Sequence, residues 1–418
     1  TQHLIPIKKE NDAQDSYRIY PSFNISKEKM IIFSENKIRL FMTLKIINCA
    51  SILLCTSISI AQSGHDAQDG THHGHENIPI TNSHQHRSAL HDEIPKQAKL
   101  LTGQGEFVFS WDQKLTAAFP EEAIEFEPGM HGGFNEDPET RIVYTGIPGY
   151  GLCSISPDLT KWETLGTDPR LKDNIHGIVF FIHKGVKYLA VAQEGKRVLV
   201  LTLDGTIVSE ILKPTGTEFK FAVANEFFSS EDSDFGVTDV TYLKGTLYVA
   251  HGYSKGDFVM TIKEKGGVWS WGKLAWGGKG NNPGQFQTAH GIYAHKKHIL
   301  VANRAAGQIV KFTKRGKFVE TFSDIPEGSL ICNIAYKTEH YFLNALSAIG
   351  EQKSAPIYVH TGEKLESTVI SGDLDIPTLT NIHQVWPHYV ETENGSKQLY
   401  LLVHGWDKGK FAVLKHEE

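Results

Sequence analysis

Apolar residues in this chain come in short runs broken by Gly, Lys and Asn, without the three-to-four spacing of a helix. Residues 283–312, PGQFQTAHGIYAHKKHILVANRAAGQIVKF, give the clearest unit. A loop with Pro283 and Gly284 leads to His290. Strands are predicted over 291–294, 298–302 and 308–312, where β-branched and aromatic residues alternate between turn signals. The same grammar recurs at 175–203 (IHGIVFFIHKGVKYLAVAQEGKRVLVLTL) and 237–262 (VTDVTYLKGTLYVAHGYSKGDFVMTI). It recurs more loosely at 130–165, 332–359 and 382–414. Taking His131, His176, Thr238, His290, Asn333 and His383 as equivalent entry points, the interval is close to the period of about 40–50 residues of a four-stranded propeller blade. Six entries predict an all-β, six-bladed β-propeller over 105–418. The alternating stretch 105–115 is predicted as a strand that completes the last blade and closes the ring, which removes exposed sheet edges.

Six blades leave the first hundred or so residues outside the fold. Lys37, Arg39 and Lys45 precede an apolar run at 46–61 that ends in small residues, the pattern of a secretory signal. The run is short and rich in Ser and Thr for a membrane span. Met30 and Met42 are candidate starts. Residues 1–61 are therefore expected to be leader and signal peptide, with the mature chain secreted or periplasmic. Residues 62–104 are expected to be a disordered spacer that is His-rich at 64–93, able to hold transition metals loosely. Cys49 and Cys55 fall in the signal. Cys153 and Cys332 fall in blades 1 and 5, which are not neighbours, so no disulfide is expected. The net charge of −6 and the lack of a basic face argue against nucleic acid.

Residues entering the innermost strands of a propeller converge on its axis. Blades 2, 4 and 6 alternate around the ring, so His176, His290 and His383 are expected to meet there. Three imidazoles with an open fourth position form a catalytic zinc arrangement. Neutral imidazole also suits copper, iron and nickel. A histidine in this position can instead cap the turn. A second ring is expected at the far end of the second strands, from His251-Gly252-Tyr253 in blade 3, Asn303-Arg304 in blade 4 and His404-Gly405-Trp406 in blade 6. Tyr253 can accept a proton where a cation lowers its pKa. Arg304 can grip a carboxylate with its planar fork. His131, His251, Asn381 and His404 are further site candidates.

Blades 2–6 resemble NHL-type propellers and, within them, the peptidyl-α-hydroxyglycine α-amidating lyases. PGQF-x3-HGI-x7-LVANRAAGQIVKF is similar to that family's fourth blade and TDVTYLKGTLYVAHGY to its third. The resemblance implies zinc ligands at His290, His176 (in NIHGI) and His383 (in NIHQV), a catalytic Tyr253 and a functional Arg304. It implies cleavage of a C–N bond to release an amide and glyoxylate. The chain departs from the family in three places. The blade 1 substrate-binding arginine has no counterpart, and His131 lies in that region. Asn381 replaces a methionine, and Gln384 replaces an acidic residue.

The sequence reading is thus a metal-dependent lyase taking a small-molecule or peptide substrate, with zinc or another divalent transition metal, and with structural calcium as a further expectation. Two alternatives stay open. One is another propeller enzyme, a lactonase or sugar lyase. The other is a non-catalytic module that binds protein or glycan.

Overall fold

The computed structural model describes residues 99–346, 355–376, 379, 381–406 and 411–418, the side chains of 127–129 excepted. The expected leader, signal and nearly all of the spacer lie outside the described residues.

The protein is a six-bladed β-propeller. Blade 1 holds Phe134–Glu136, Val143–Ile147, Gly151–Ile155 and Trp162–Thr164. Blades 2 to 5 are four-stranded antiparallel sheets, and their innermost strands are Ile175–His183, Asp239–Leu243, Ala289–His295 and Ile331–Lys337. Blade 6 has Ile382–Glu391 innermost, then Lys397–Gly405 and Phe411–Glu417. Each innermost strand packs on the next, and that of blade 6 returns to that of blade 1.

The ring closes as the alternating N-terminal stretch predicted. Phe107–Trp111 pairs antiparallel with Phe411–Glu417, Val108 opposite Glu417 and Trp111 opposite Leu414. A further short strand, Thr102–Gln104, extends the sheet. The strand is shorter than the expected 105–115. It stops at Trp111 because the Asp112 side chain accepts from Leu115 N–H and caps a helical turn at Gln113–Thr116.

Local turn chemistry sets the blade hairpins. In blades 2 and 3 the first hairpin turns on Lys-Gly, with positive φ at Lys184 and Gly185 and at Lys244 and Gly245. Two left-handed residues in succession make the turn that matches strand twist. The long interval between His176 and Thr238 contains a helix, Ala222–Ser229, that the repeat pattern did not foretell. It buries Ala224 and Phe228 against the faces of blades 2 and 3.

The core is not central. Six apolar clusters occupy the interfaces between neighbouring blades, one per interface. Burial is thus distributed around the ring, which leaves the axis free for polar side chains. Cys153 and Cys332 are free and buried, as their separation predicted. Among the described residues no helix is long and apolar enough to cross a membrane.

Candidate functional site at the propeller axis

A backbone irregularity aims the axial side chains. The innermost strands of blades 2 and 6 shift register between Ile175 and Gly177 and between Ile382 and Gln384. His176 and His383 are the extra residues of those bulges. In blade 4 the shift spans His290, between Ala289 and Ile292. A bulge leaves a residue unpaired and re-aims its side chain.

In blade 5 the shift lies between Ile331 and Asn333. The entry residue is therefore Cys332, which corrects the expected Asn333 by one position. Asn333 pairs with Asn344 in the ladder. Cys-Asn-Ile at 332–334 sits where His-Gly-Ile stands in blades 2 and 4.

The predicted trio does converge. Ring centroids lie 4.8 Å apart for His176 and His290, 4.7 Å for His176 and His383, and 4.9 Å for His290 and His383. The spacing is nearly equilateral, as alternate blades of a sixfold ring require. His131 joins them, 5.1 Å from His176 and 4.9 Å from His383.

Each imidazole is held by the next blade. His176 Nδ1 donates to Thr238 O at 2.5 Å, His290 Nδ1 to Cys332 O at 2.7 Å, and His383 Nδ1 to His131 O at 3.1 Å. A carbonyl can only accept, so Nδ1 carries the proton and Nε2 keeps its lone pair. The glycine after His290 makes this reach feasible, because a Cβ on Gly291 would lie 2.5 Å from Cys332 O. Nε2 of His176 and of His383 is buried without a partner among the described residues. All three rings are held neutral, their pKa values driven well below the ordinary 6.5, first by burial and then by neighbouring imidazoles or the Arg304 charge.

Tyr253 and Arg304 complete the group. The Tyr253 hydroxyl lies 3.0 Å from His290 Nε2 and accepts from Arg304 at 2.7 Å. The guanidinium also sits 4.9 Å from the phenol ring centroid. Burial pushes the phenol up to about 12, and the Arg304 charge pulls the other way without prevailing. Blade packing places the tyrosine. A Cβ at Gly252 would collide with Ala289 O, so only glycine lets blade 3 approach blade 4 here.

The other candidates separate. His251 and His404 are fully buried inside their blades among phenylalanines: Phe228 and Phe235 surround His251, and Phe134 and Phe411 pack on His404. Neither contacts the axial imidazoles, which corrects their expected place in the second ring. Asn381 accepts the Trp406 N–H through its carbonyl at 2.7 Å.

Asn174 and Glu194, which were not foreseen, also reach the site, as does Trp406 of the expected second ring. Asn174 Oδ1 lies 3.2 Å from His131 Nδ1, and Asn174 Nδ2 donates to Glu194 at 2.8 Å. Trp406 stacks on His131 at 5.6 Å. Glu194 and Trp406 occupy the second-strand ends of blades 2 and 6, as Arg304 and Tyr253 do in blades 4 and 3. Extending the second ring to blade 2 would have found Glu194.

Two sets of ligand atoms each lie within 4.8 Å of one another, His131, His176 and His383, and His290, Cys332 and His383, so the expected trio is divided between them with His383 common to both. The axis thus holds clusters able to take a metal ion. Burial pushes the Cys332 thiol up to about 12, against the nearby Arg304 charge.

No protein-family model matches the chain, and no curated protein matches it. Solved structures similar to it include a luciferin-regenerating enzyme, at 13% identity and TM-score 0.44, over 70% of this chain and 92% of that one. A streptogramin B lyase is similar at 11% identity and TM-score 0.42, over 69% of this chain and 94% of that one. A virginiamycin B lyase from Staphylococcus aureus gives 10% identity and TM-score 0.41, over 69% and 81%.

Proposed function

We propose that this propeller is a metal-dependent lyase of the amidating type. Its substrate is an N-acyl α-hydroxyglycine, small or peptidic, and its products are the amide and glyoxylate. A leader and export from the cytoplasm belong to the same reading. The observation that carries it is the Tyr253 hydroxyl, bridged between Arg304 and His290 Nε2, beside two histidines whose Nε2 atoms lack partners.

Those lone pairs are the test of fit for a metal. A neutral imidazole whose Nδ1–H is fixed by a carbonyl is the usual form of a ligating histidine. His176, His290 and His383 would hold the ion, and zinc suits an all-imidazole set. When bound, a divalent cation supplies positive charge that lowers the pKa of the substrate hydroxyl and of the Tyr253 phenol.

The chain's own groups do the rest. Arg304 offers forked donors to the substrate carboxylate and favours the phenolate form of Tyr253. The Tyr253 phenolate takes the α-hydroxyl proton. The O–H electron pair becomes the carbonyl of glyoxylate, and the C–N pair leaves with nitrogen. Tyr253 returns the proton to that nitrogen, so atoms and electrons balance without a redox partner. A calcium-dependent lactonase would need carboxylate and carbonyl oxygens at the axis. The axial entries here are instead four imidazoles, a hydroxyl and a thiol.

The experiment is glyoxylate release from N-benzoyl-α-hydroxyglycine by metal-loaded protein. Tyr253→Phe should lower kcat by about 10²–10⁴-fold, the usual contribution of a positioned proton acceptor, with metal content unchanged. Wild-type turnover in Tyr253→Phe would remove Tyr253 from the chemistry.

A further inference from the structure

The opposite mouth of the channel has a construction of its own. Three or four residues beyond the axial entries, at about 3.3 Å per residue along the strand, five of the six innermost strands carry an aromatic ring. These are Phe180, Tyr242, Tyr293, Tyr336 and Trp386. They line one cavity of about 490 Å³ to which all six innermost strands contribute. Blade 1 breaks the collar with Asn135 and Glu136.

The charges at this break pair in two groups: Lys187 spans Asp137 and Glu139, and Arg141 and Lys337 share Glu136. The Glu136 carboxylate is fully engaged, with Arg141 on one oxygen and His388, Trp386 and Lys337 on the other. His388 and the Lys337 and Arg141 charges hold it ionised against burial, with its pKa down at about 2. One carboxylate is thus shared by Arg141 and Lys337, the lysine's pKa being lowered by burial against the pull of Glu136. Lys337 Nζ spends one N–H on it at 3.3 Å and lies 5.9 Å from the Tyr389 ring centroid, and its other two N–H groups have no hydrogen-bond partner among the described residues. Lys337 lines the cavity.

We propose that this mouth is a binding site for a small planar aromatic carboxylate, with its ring between the aromatic side chains and its charge on Lys337. The parts of these side chains that line the cavity supply apolar area at little entropic cost, since each has only two torsions. The unspent ammonium donors supply orientation and select the anion. A neutral ring would gain the first contribution and not the second. The site is separate from the axial histidines and independent of the lyase reading.

Calorimetric titration with 2-naphthoate and its neutral counterpart 2-naphthamide tests this. The carboxylate should bind one per chain, about ten-fold or more tighter than the amide, as a charge-assisted hydrogen bond implies. Lys337→Met should abolish that preference, while Lys337→Arg, which keeps the charge, should retain it. Tyr336→Leu should weaken both ligands alike. His383→Ala should change neither. The proposal is overturned by equal affinities in the wild type, by no binding at millimolar ligand, or by a preference that survives Lys337→Met. Loss of binding in His383→Ala would place the probe at the other mouth and overturn it equally.

Discussion

The axial histidines and the blade histidines are equally buried and behave differently. His176 and His383 on the axis, and His251 and His404 in the blades, all have a hydrogen-bonded Nδ1 and a partnerless buried Nε2. What differs is what the Nε2 side meets. On the axis the neighbours are other imidazoles at 4.7–4.9 Å. In the blades they are phenyl rings, such as Phe228 at 5.3 Å from His251 and Phe134 at 4.0 Å from His404. A lone pair aimed at phenyl rings can only be tolerated. Several aimed at one another form a donor set. Burial and an orphaned nitrogen therefore do not mark a site until the neighbours are named.

The largest expected effect breaks the comparison at the axis. His383→Ala should lose most of the zinc that the wild type retains after dialysis, because the remaining imidazoles hold a divalent ion weakly. His251→Ala should retain the wild-type zinc content. Metal analysis of the two purified variants reads both. Equal zinc in both would show that the axial lone pairs are tolerated in the same way as those in the blades.

The next effect is in stability and runs the other way. His251→Ala leaves a cavity among Phe228, Phe235 and Phe258 and removes the bond to Ser254. It should cost about 2–4 kcal/mol in urea unfolding, the range for truncating a large buried side chain. In metal-free protein His383→Ala should cost less, since it removes one lone pair from a channel crowded with others. A smaller loss for His251→Ala than for His383→Ala would show that the blade does not depend on the ring.

Much of this was legible because propeller geometry repeats. The His-Gly-Ile signature at His176 and His290 marked the blade entries, while the bulge, the carbonyl acceptor and the reason for the glycine became visible only in the structure. The blade 5 entry was missed because Cys-Asn-Ile shares only the final residue of that signature, so Asn333 was taken in place of Cys332. His251 and His404 were placed on the second ring because they stand at the far ends of the second strands, in segments, AHGYSKGDF and VHGWDKGKF, that match. The match is real, but the strands end at His251 and Gly405; His251 and His404 still belong to the ladder and pack in the blade, while Tyr253 and Trp406 lie past the strand ends and reach the axis. The aromatic collar went unseen because its members occupy positions three or four residues past the entry, and an apolar ring in a strand reads as core.

The last prediction concerns acid. His251 and His404 each have a folded pKa of about 3, lowered from 6.5 by burial. Between about 3 and 6.5 the unfolded chain binds more protons than the folded one, so stability is intact above 6.5 and falls as pH falls. Glu136, with a folded pKa of about 2 against 4.5, acts in the same sense but only below about 4.5. In the window from 6.5 to 4.5 the buried histidines lower stability as pH falls, while Asp239, its carboxyl raised by burial to about 7 from 3.8, offsets one proton's worth of that decline. Each of the two contributes a slope of up to about 1.4 kcal/mol per pH unit, and the axial imidazoles add to it when metal is absent. Urea unfolding of metal-free protein at pH 7.5, 6.5, 5.5 and 4.5 should show a decline that starts near 6.5. His251→Ala, though less stable throughout, should decline less steeply by about one such increment, because it has one fewer proton to take up on unfolding. An unchanged slope would mean that His251 exchanges protons without unfolding, and that its enclosure by phenylalanines is looser than the packing implies.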